Sequence, residues 1–133
     1  MTILLAIKPE FVKKIFSGEK KYEFRKRLAA KDIDKIIMYE TSPASCIVGE
    51  VDVIRKLSNT KDRLWKETKD FAGINRVKYN EYFSDCIIAC AYEIGCPVEY
   101  EKKITINHLG IQQIPQSFIY LTKEQYDICA SNI

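Results

Sequence analysis

The chain has 133 residues, 47% of them hydrophobic, and a formal net charge of +3. That length suits one domain around one core, typically of roughly 100–150 residues. No run approaches the roughly 20 apolar residues of a membrane helix, and Met1 to Lys8 lacks the basic start and small-residue cleavage site of a signal peptide.

Residues 3–7 read as a short buried strand. Pro9 then suits the first turn of a helix, where the missing N–H has no partner to lose. Phe11, Val12, Ile15 and Phe16 recur at helical spacing, and Gly18 fits the position just past the helix end. Tyr22 and Phe24 alternate with Glu23 and Arg25, so a strand is expected with the aromatic pair towards the core and the charged pair on the other face. Residues 34–40 form a third strand, Thr41-Ser42-Pro43 a turn, and residues 46–56 a long strand in which Gly49 marks a bulge or bend. Leu64, Trp65, Thr68 and Phe71 mark one helix face. Gly73 breaks that helix, and Val77, Tyr79, Tyr82 and Phe83 predict a second short helix whose aromatics are mostly core. Residues 86–94 return to strand, Pro97 interrupts, and 98–106 are extended or hairpin-like. Pro115 to Phe118 lead into a last strand, and Thr122 with Gln125 forms a capping-box pattern that starts a terminal helix. The order is β-α-β-β-β-α-α-β-β-β-α. Mostly consecutive strands predict an α+β fold, a small mixed, mostly antiparallel β-barrel with flanking helices, in a single domain spanning 1–133.

The residue inventory removes several chemistries. The five cysteines include no CxxC pair, and His108 is the one histidine, so no metal site is expected. Cys86 and Cys90 lie in a strand-like run and read as small buried hydrophobes. Free thiols point to a reducing cytoplasm. Gly18, Gly49, Gly73, Gly95 and Gly110 are isolated, so no glycine-rich phosphate loop is present, and no cofactor is expected. One histidine without a GxSxG sequence gives little support for a Ser-His-Asp triad.

Charge is unevenly placed. Residues 1–31 carry nine Lys/Arg and three Asp/Glu, and the remainder carries twelve and fifteen. Such asymmetry suits a polyanion-binding face, or simply a solvated lysine-rich surface. Within it, Glu23 and Arg25 sit two apart on one strand face. Arg offers a planar fork of donors to phosphate or a base edge, Glu accepts from an amino group, and Lys20 could reach the same place. An ordinary ion pair is the plainer alternative. Two further clusters carry polar groups beside an aromatic ring suited to a base: Tyr39-Glu40-Thr41-Ser42-Pro43 and Pro115-Gln116-Ser117-Phe118.

The run Ile7-Lys8-Pro9 to Ile15-Phe16, followed by Gly18, Lys20, Glu23 and Arg25 at G-x-K-x-x-E-x-R spacing, resembles the N-terminal signature of ASCH domains in the PUA-like superfamily. Tyr39-x-Thr41-Ser42-Pro43, Ile47 to Val51 and Pro115 to Phe118 resemble a prokaryotic and phage branch described as predicted transcriptional regulators. The resemblance implies a PUA-like barrel with a cleft that binds RNA or a modified nucleotide, in the control of transcription or translation. The expected ligand-binding residues are Lys8, Lys20, Glu23, Arg25, Tyr39, Thr41, Ser42, Gln116 and Ser117. Some ASCH proteins are amidohydrolases of N4-acetylcytidine that use a Lys, a Thr nucleophile and a downstream Glu. Lys20 matches the Lys, Glu23 stands where the Thr would be, and Phe71-Ala72-Gly73 lies near the acid's place with Asp70 beside it. The leading expectation is therefore a non-enzymatic binding module without a membrane partner. The alternative is an enzyme on a modified nucleoside with Lys20 and Glu23 catalytic. A protein-interaction module is the third class. Oligomeric state is left open.

Overall fold

A computed structural model describes residues 1–114 and 116–133. The elements are β1 (Thr2–Ile7), α1 (Pro9–Ser17), β2 (Tyr22–Arg25), β3 (Lys35–Glu40), β4 (Cys46–Thr60), α2 (Lys61–Thr68), α3 (Arg76–Tyr82), β5 (Ile88–Ile104), β6 (Phe118–Leu121) and α4 (Lys123–Ala130). The helix starts follow local chemistry. Pro9 opens α1, the Asn75 side chain accepts from the Lys78 amide at 2.8 Å to cap α3, and Thr122 with Gln125 forms the expected reciprocal capping box of α4.

The six strands make one sheet in the order β2-β5-β4-β3-β1-β6. β1 and β3 are parallel and the other pairs antiparallel. The sheet is mixed and mostly antiparallel, as expected, but it does not close into a barrel. β2 and β6 are its two ends, each of four residues. β6 pairs with β1 only from Thr2 to Leu5, which leaves the Ala6 carbonyl for a side chain. Arg25 Nη2 donates to it at 2.7 Å, and this contact stands where backbone pairing would close the sheet.

A second correction concerns Pro97. The two strands expected around it are one, β5. Gly95 pairs with Asp52 and Val98 with Glu50, so Cys96 and Pro97 together oppose Val51. Pro97 sits in a bulge, where its missing N–H costs no ladder bond. The irregularity expected at Gly49 is present, since β4 slips register against both neighbours between Ile47 and Gly49.

Strand alternation divides the apolar residues. Ile3, Leu5 and Ile7 of β1 join Ile36 and Met38 of β3 under Val12 and Ile15 of α1. Leu4 and Ile37 face the other way, with Tyr100, Leu121 and Cys129 of α4. Phe24 and Leu57 pack with Leu64 of α2, Tyr79 of α3 and Phe83 just past its end. Coverage on both faces explains the continuous apolar run of β1. It also covers the face of β2 that carries the charged pair, so the plainer alternative of an ion pair on an open sheet face does not hold for Glu23. Glu23 stands opposite Tyr92 in register, and Tyr92 belongs to the core under α1, so the charged residue faces inward. The thiols differ from expectation too. Cys129 is buried, but Cys46, Cys86 and Cys90 are half-buried and Cys96 is exposed. Among the described residues, no helix is long and apolar enough to cross a membrane, and no group of three or more His, Cys, Asp and Glu is placed to hold a metal.

Candidate functional site

Gly18 ends α1 at φ +85°, a left-handed conformation open to glycine. The turn is closed by the Lys20 amide, which donates to Lys14 O at 3.0 Å. This places Lys20 beneath the segment that follows α2. Its side chain is 2% exposed. The Nζ donates to Ala72 O at 2.7 Å and lies 4.9 Å from the ring centres of both Phe11 and Phe24, within cation–π range. The covering segment is tied down by Lys21 N to Phe71 O at 2.9 Å and by Lys14 Nζ to Gly73 O at 3.1 Å. Gly73 has φ +67°, and a Cβ there would come within 2.6 Å of Lys20. The groups near the acid position of the resembling amidohydrolases thus present a backbone carbonyl to Lys20, while Asp70 is exposed.

Burial lowers the Lys20 pKa from 10.5 to about 8. The Glu23 charge opposes that fall, and Lys14 and Arg25 reinforce it. At neutral pH Lys20 is mostly an ammonium. It uses one of its three donors on Ala72.

Glu23 is 5% exposed. Its Oε2 has no hydrogen-bond partner among the described residues. Arg25 Nη2 is 3.9 Å away, beyond hydrogen-bond reach, because Arg25 is committed to Ala6 O. The other deeply buried carboxylate behaves differently. Glu50 accepts from Tyr100 Oη at 2.7 Å and Tyr126 Oη at 3.0 Å, and Lys35 Nζ lies 3.3 Å away. Burial and the Glu50 contact push the Tyr100 phenol up. Glu50 fastens α4 to the sheet and is fully partnered. Glu23 differs, with one carboxylate oxygen buried and unpartnered among the described residues.

Glu23 and Lys20 line a cavity of about 420 Å³ together with Lys8, Phe11, Phe24 and Tyr82. A smaller depression of about 190 Å³ continues it past Lys8, Glu23, Arg25 and Tyr82. A third, of about 210 Å³, is lined by Arg25, Lys26, Arg27, Tyr82, Gln116 and Ser117. Six of the expected residues therefore lie along one track: Lys8, Lys20, Glu23, Arg25, Gln116 and Ser117. Tyr39, Thr41 and Ser42 line none of these three depressions. Tyr39 follows Met38 on β3 and so faces the opposite side of the sheet, against the Leu4 and Ile37 core. Thr41 N donates to Ile7 O at 3.0 Å, closing the strand end, and Ser42 is exposed. Pro115 lies outside the described residues.

Sequence reasoning missed Phe11 and Tyr82. Both have helical spacing to core residues, a pattern that does not distinguish a cavity wall from the interior. Tyr82 is the last residue of α3 and is 38% exposed, with Lys26 Nζ 5.4 Å from its ring centre. Burial pushes its phenol up, and the nearby Arg25 opposes the rise. Lys26 and Arg27 directly follow Arg25 in the basic N-terminal quarter, and that run of charge is the signal for them.

An open mixed sheet flanked by four helices, with a Lys–Glu–Arg track between its first helix, β2 and α3, defines a small α+β fold with a polar cleft on one face. The ASCH domain family model matches residues 5–107, and the chain belongs to that family. It is similar to an ASCH domain-containing ribonuclease of Zymomonas mobilis, 28% identical over 130 residues, covering 92% of this chain and 85% of that one. The crystal structure of ASCH from Zymomonas mobilis is 26% identical, covers 98% of this chain and 94% of that chain, and superposes with a TM-score of 0.89. The chain also matches a protein described as ATP synthase subunit alpha of Ureaplasma parvum, 26% identical over 121 residues, covering 90% of this chain but spanning only 15% of that protein.

Proposed function

We propose that this domain binds RNA or a nucleotide, with a base in the Lys20–Glu23 cavity. The observation that carries this reading is the unpartnered Glu23 Oε2, 95% removed from solvent beside a lysine with spare donors. A buried acceptor left unpaired costs about 1–3 kcal/mol. An amino or imino N–H on a base edge supplies the missing donor, while Lys20 offers a donor to a ring nitrogen or carbonyl next to it. Phe11, Phe24 and Tyr82 furnish the apolar walls. The ribonuclease description of the Zymomonas mobilis relative supports RNA as the source of that base. Control of transcription or translation is a use to which such binding could be put.

The test is titration of single-stranded RNA and nucleotides against the wild type and Arg25→Ala. The expected loss is at least about tenfold, because a charge-assisted contact is worth about 1.5–3 kcal/mol. Unchanged affinity refutes the assignment of Arg25.

A catalytic use of the same site is the second reading, favoured by the lysine held at about 8 next to a carboxylate. Single-stranded RNA and N4-acetylcytidine are the substrates to incubate, with products followed by chromatography. Turnover no higher than in Glu23→Gln removes this reading and leaves the binding module.

A further inference from the structure

The three depressions differ in charge. The inner cavity is balanced, with Glu10, Glu23 and Glu81 against Lys8, Lys20 and Lys78. The outer one contains Arg25, Lys26 and Arg27 and no acidic residue. The middle depression joins them through Glu23, Arg25 and Tyr82. Glu23 and Arg25 are two residues apart on β2, roughly 7 Å along the strand, a separation that a ribose bridges between a base and its phosphate.

The cationic ledge is also built. Just beyond Arg27, the Ala29 amide donates to Tyr92 Oη at 2.7 Å. Lys56 Nζ donates to Ala29 O and, at 2.7 Å, to Lys31 O. Lys26 is partly neutralised by Asp85, 3.3 Å away. Arg27 is exposed and has no ion-pair partner among the described residues. Its fork is therefore the donor set most available to an incoming anion, with Gln116 and Ser117 as neutral donors in the same wall.

Resting on the binding reading above, we propose that the site is specific for a phosphorylated, unpaired nucleotide unit. The base enters the Lys20–Glu23 cavity and the phosphate sits on the Arg25–Arg27 ledge. A nucleoside without phosphate fills half the site. A base pair cannot present its hydrogen-bonding edge to Glu23, so duplex is excluded.

Calorimetric titration of the full chain with guanosine and cytidine, their 3′- and 5′-monophosphates, a single-stranded RNA octamer and the same octamer as duplex tests this. A nucleoside monophosphate or the single strand is expected to bind at least about tenfold more tightly than the nucleoside. Arg27→Ala should remove most of that ratio and lower the salt dependence by about one charge, whereas Lys13→Ala, a charge change outside the track, should alter neither. The full gain in a monophosphate assigns a free nucleotide, and a gain confined to the strand assigns a phosphodiester. Equal affinity for nucleoside and nucleotide overturns the ledge while the base-binding reading stands. So does a ratio untouched by Arg27→Ala. Duplex binding as tight as single strand overturns the unpaired requirement. No binding of any of these ligands overturns both readings.

Discussion

A lysine held at about 8 when its ordinary value is 10.5 makes the stability of this fold depend on alkaline pH in a specific direction. Between those two values the unfolded chain keeps a proton that folded Lys20 has released, so stability rises with pH through that window. The buried ammonium costs the fold about 3 kcal/mol at neutral pH, taking ~1.36 kcal/mol per pH unit. Linkage over the interval from about pH 7 to about pH 9.5 recovers about 2 kcal/mol of this, because the folded form is then largely neutral and the unfolded form still charged. Lys20 is almost wholly buried, so solvent screening does little to reduce the figure. The assay is urea denaturation of the wild type and Lys20→Met across that range, read as the difference between the two proteins. Tyr79, pushed up to about 12, and Cys129, pushed up to about 11, act in the opposite sense. Each keeps its proton in the fold after the unfolded chain has lost it. Both are common to the two proteins and cancel in the difference. A difference that stays flat, or that falls with pH, refutes the claim that desolvation dominates at Lys20.

Gly73→Ala should destabilise the fold by about 1–3 kcal/mol in chemical denaturation, since its left-handed backbone and its approach to the Lys20 stem both oppose a Cβ. A cost no greater than that of an exposed Gly→Ala change would mean the segment moves aside freely. Tyr100→Phe leaves a buried Glu50 oxygen without its hydroxyl donor, so a loss of about 1–3 kcal/mol is expected in the same assay. A neutral result would show that Tyr126 and Lys35 satisfy Glu50 alone.

Local chemistry determined what the sequence by itself could yield. Pro9 and Gly18 bracket α1 because one lacks an amide hydrogen and the other tolerates φ +85°. Thr122 and Gln125 start α4 because their side chains reach its first amides. The G-x-K-x-x-E-x-R spacing identified the segment that carries Lys20, Glu23 and Arg25. The facing of Glu23 depended on what covers β2, and that is decided by Tyr92, sixty-nine positions further along the chain. Alternation says that Glu23 and Phe24 face opposite sides. It does not say that both sides are filled. The same limit hid the open sheet, since closure turns on whether Ala6 O meets a strand or the Arg25 side chain. It hid the close approach of Gly73 to the Lys20 stem as well. Proline and glycine act on their own backbone and are legible in a string of letters. A carboxylate buried without a donor, and an ammonium pushed towards neutrality by its removal from water, exist only once distant segments have packed together.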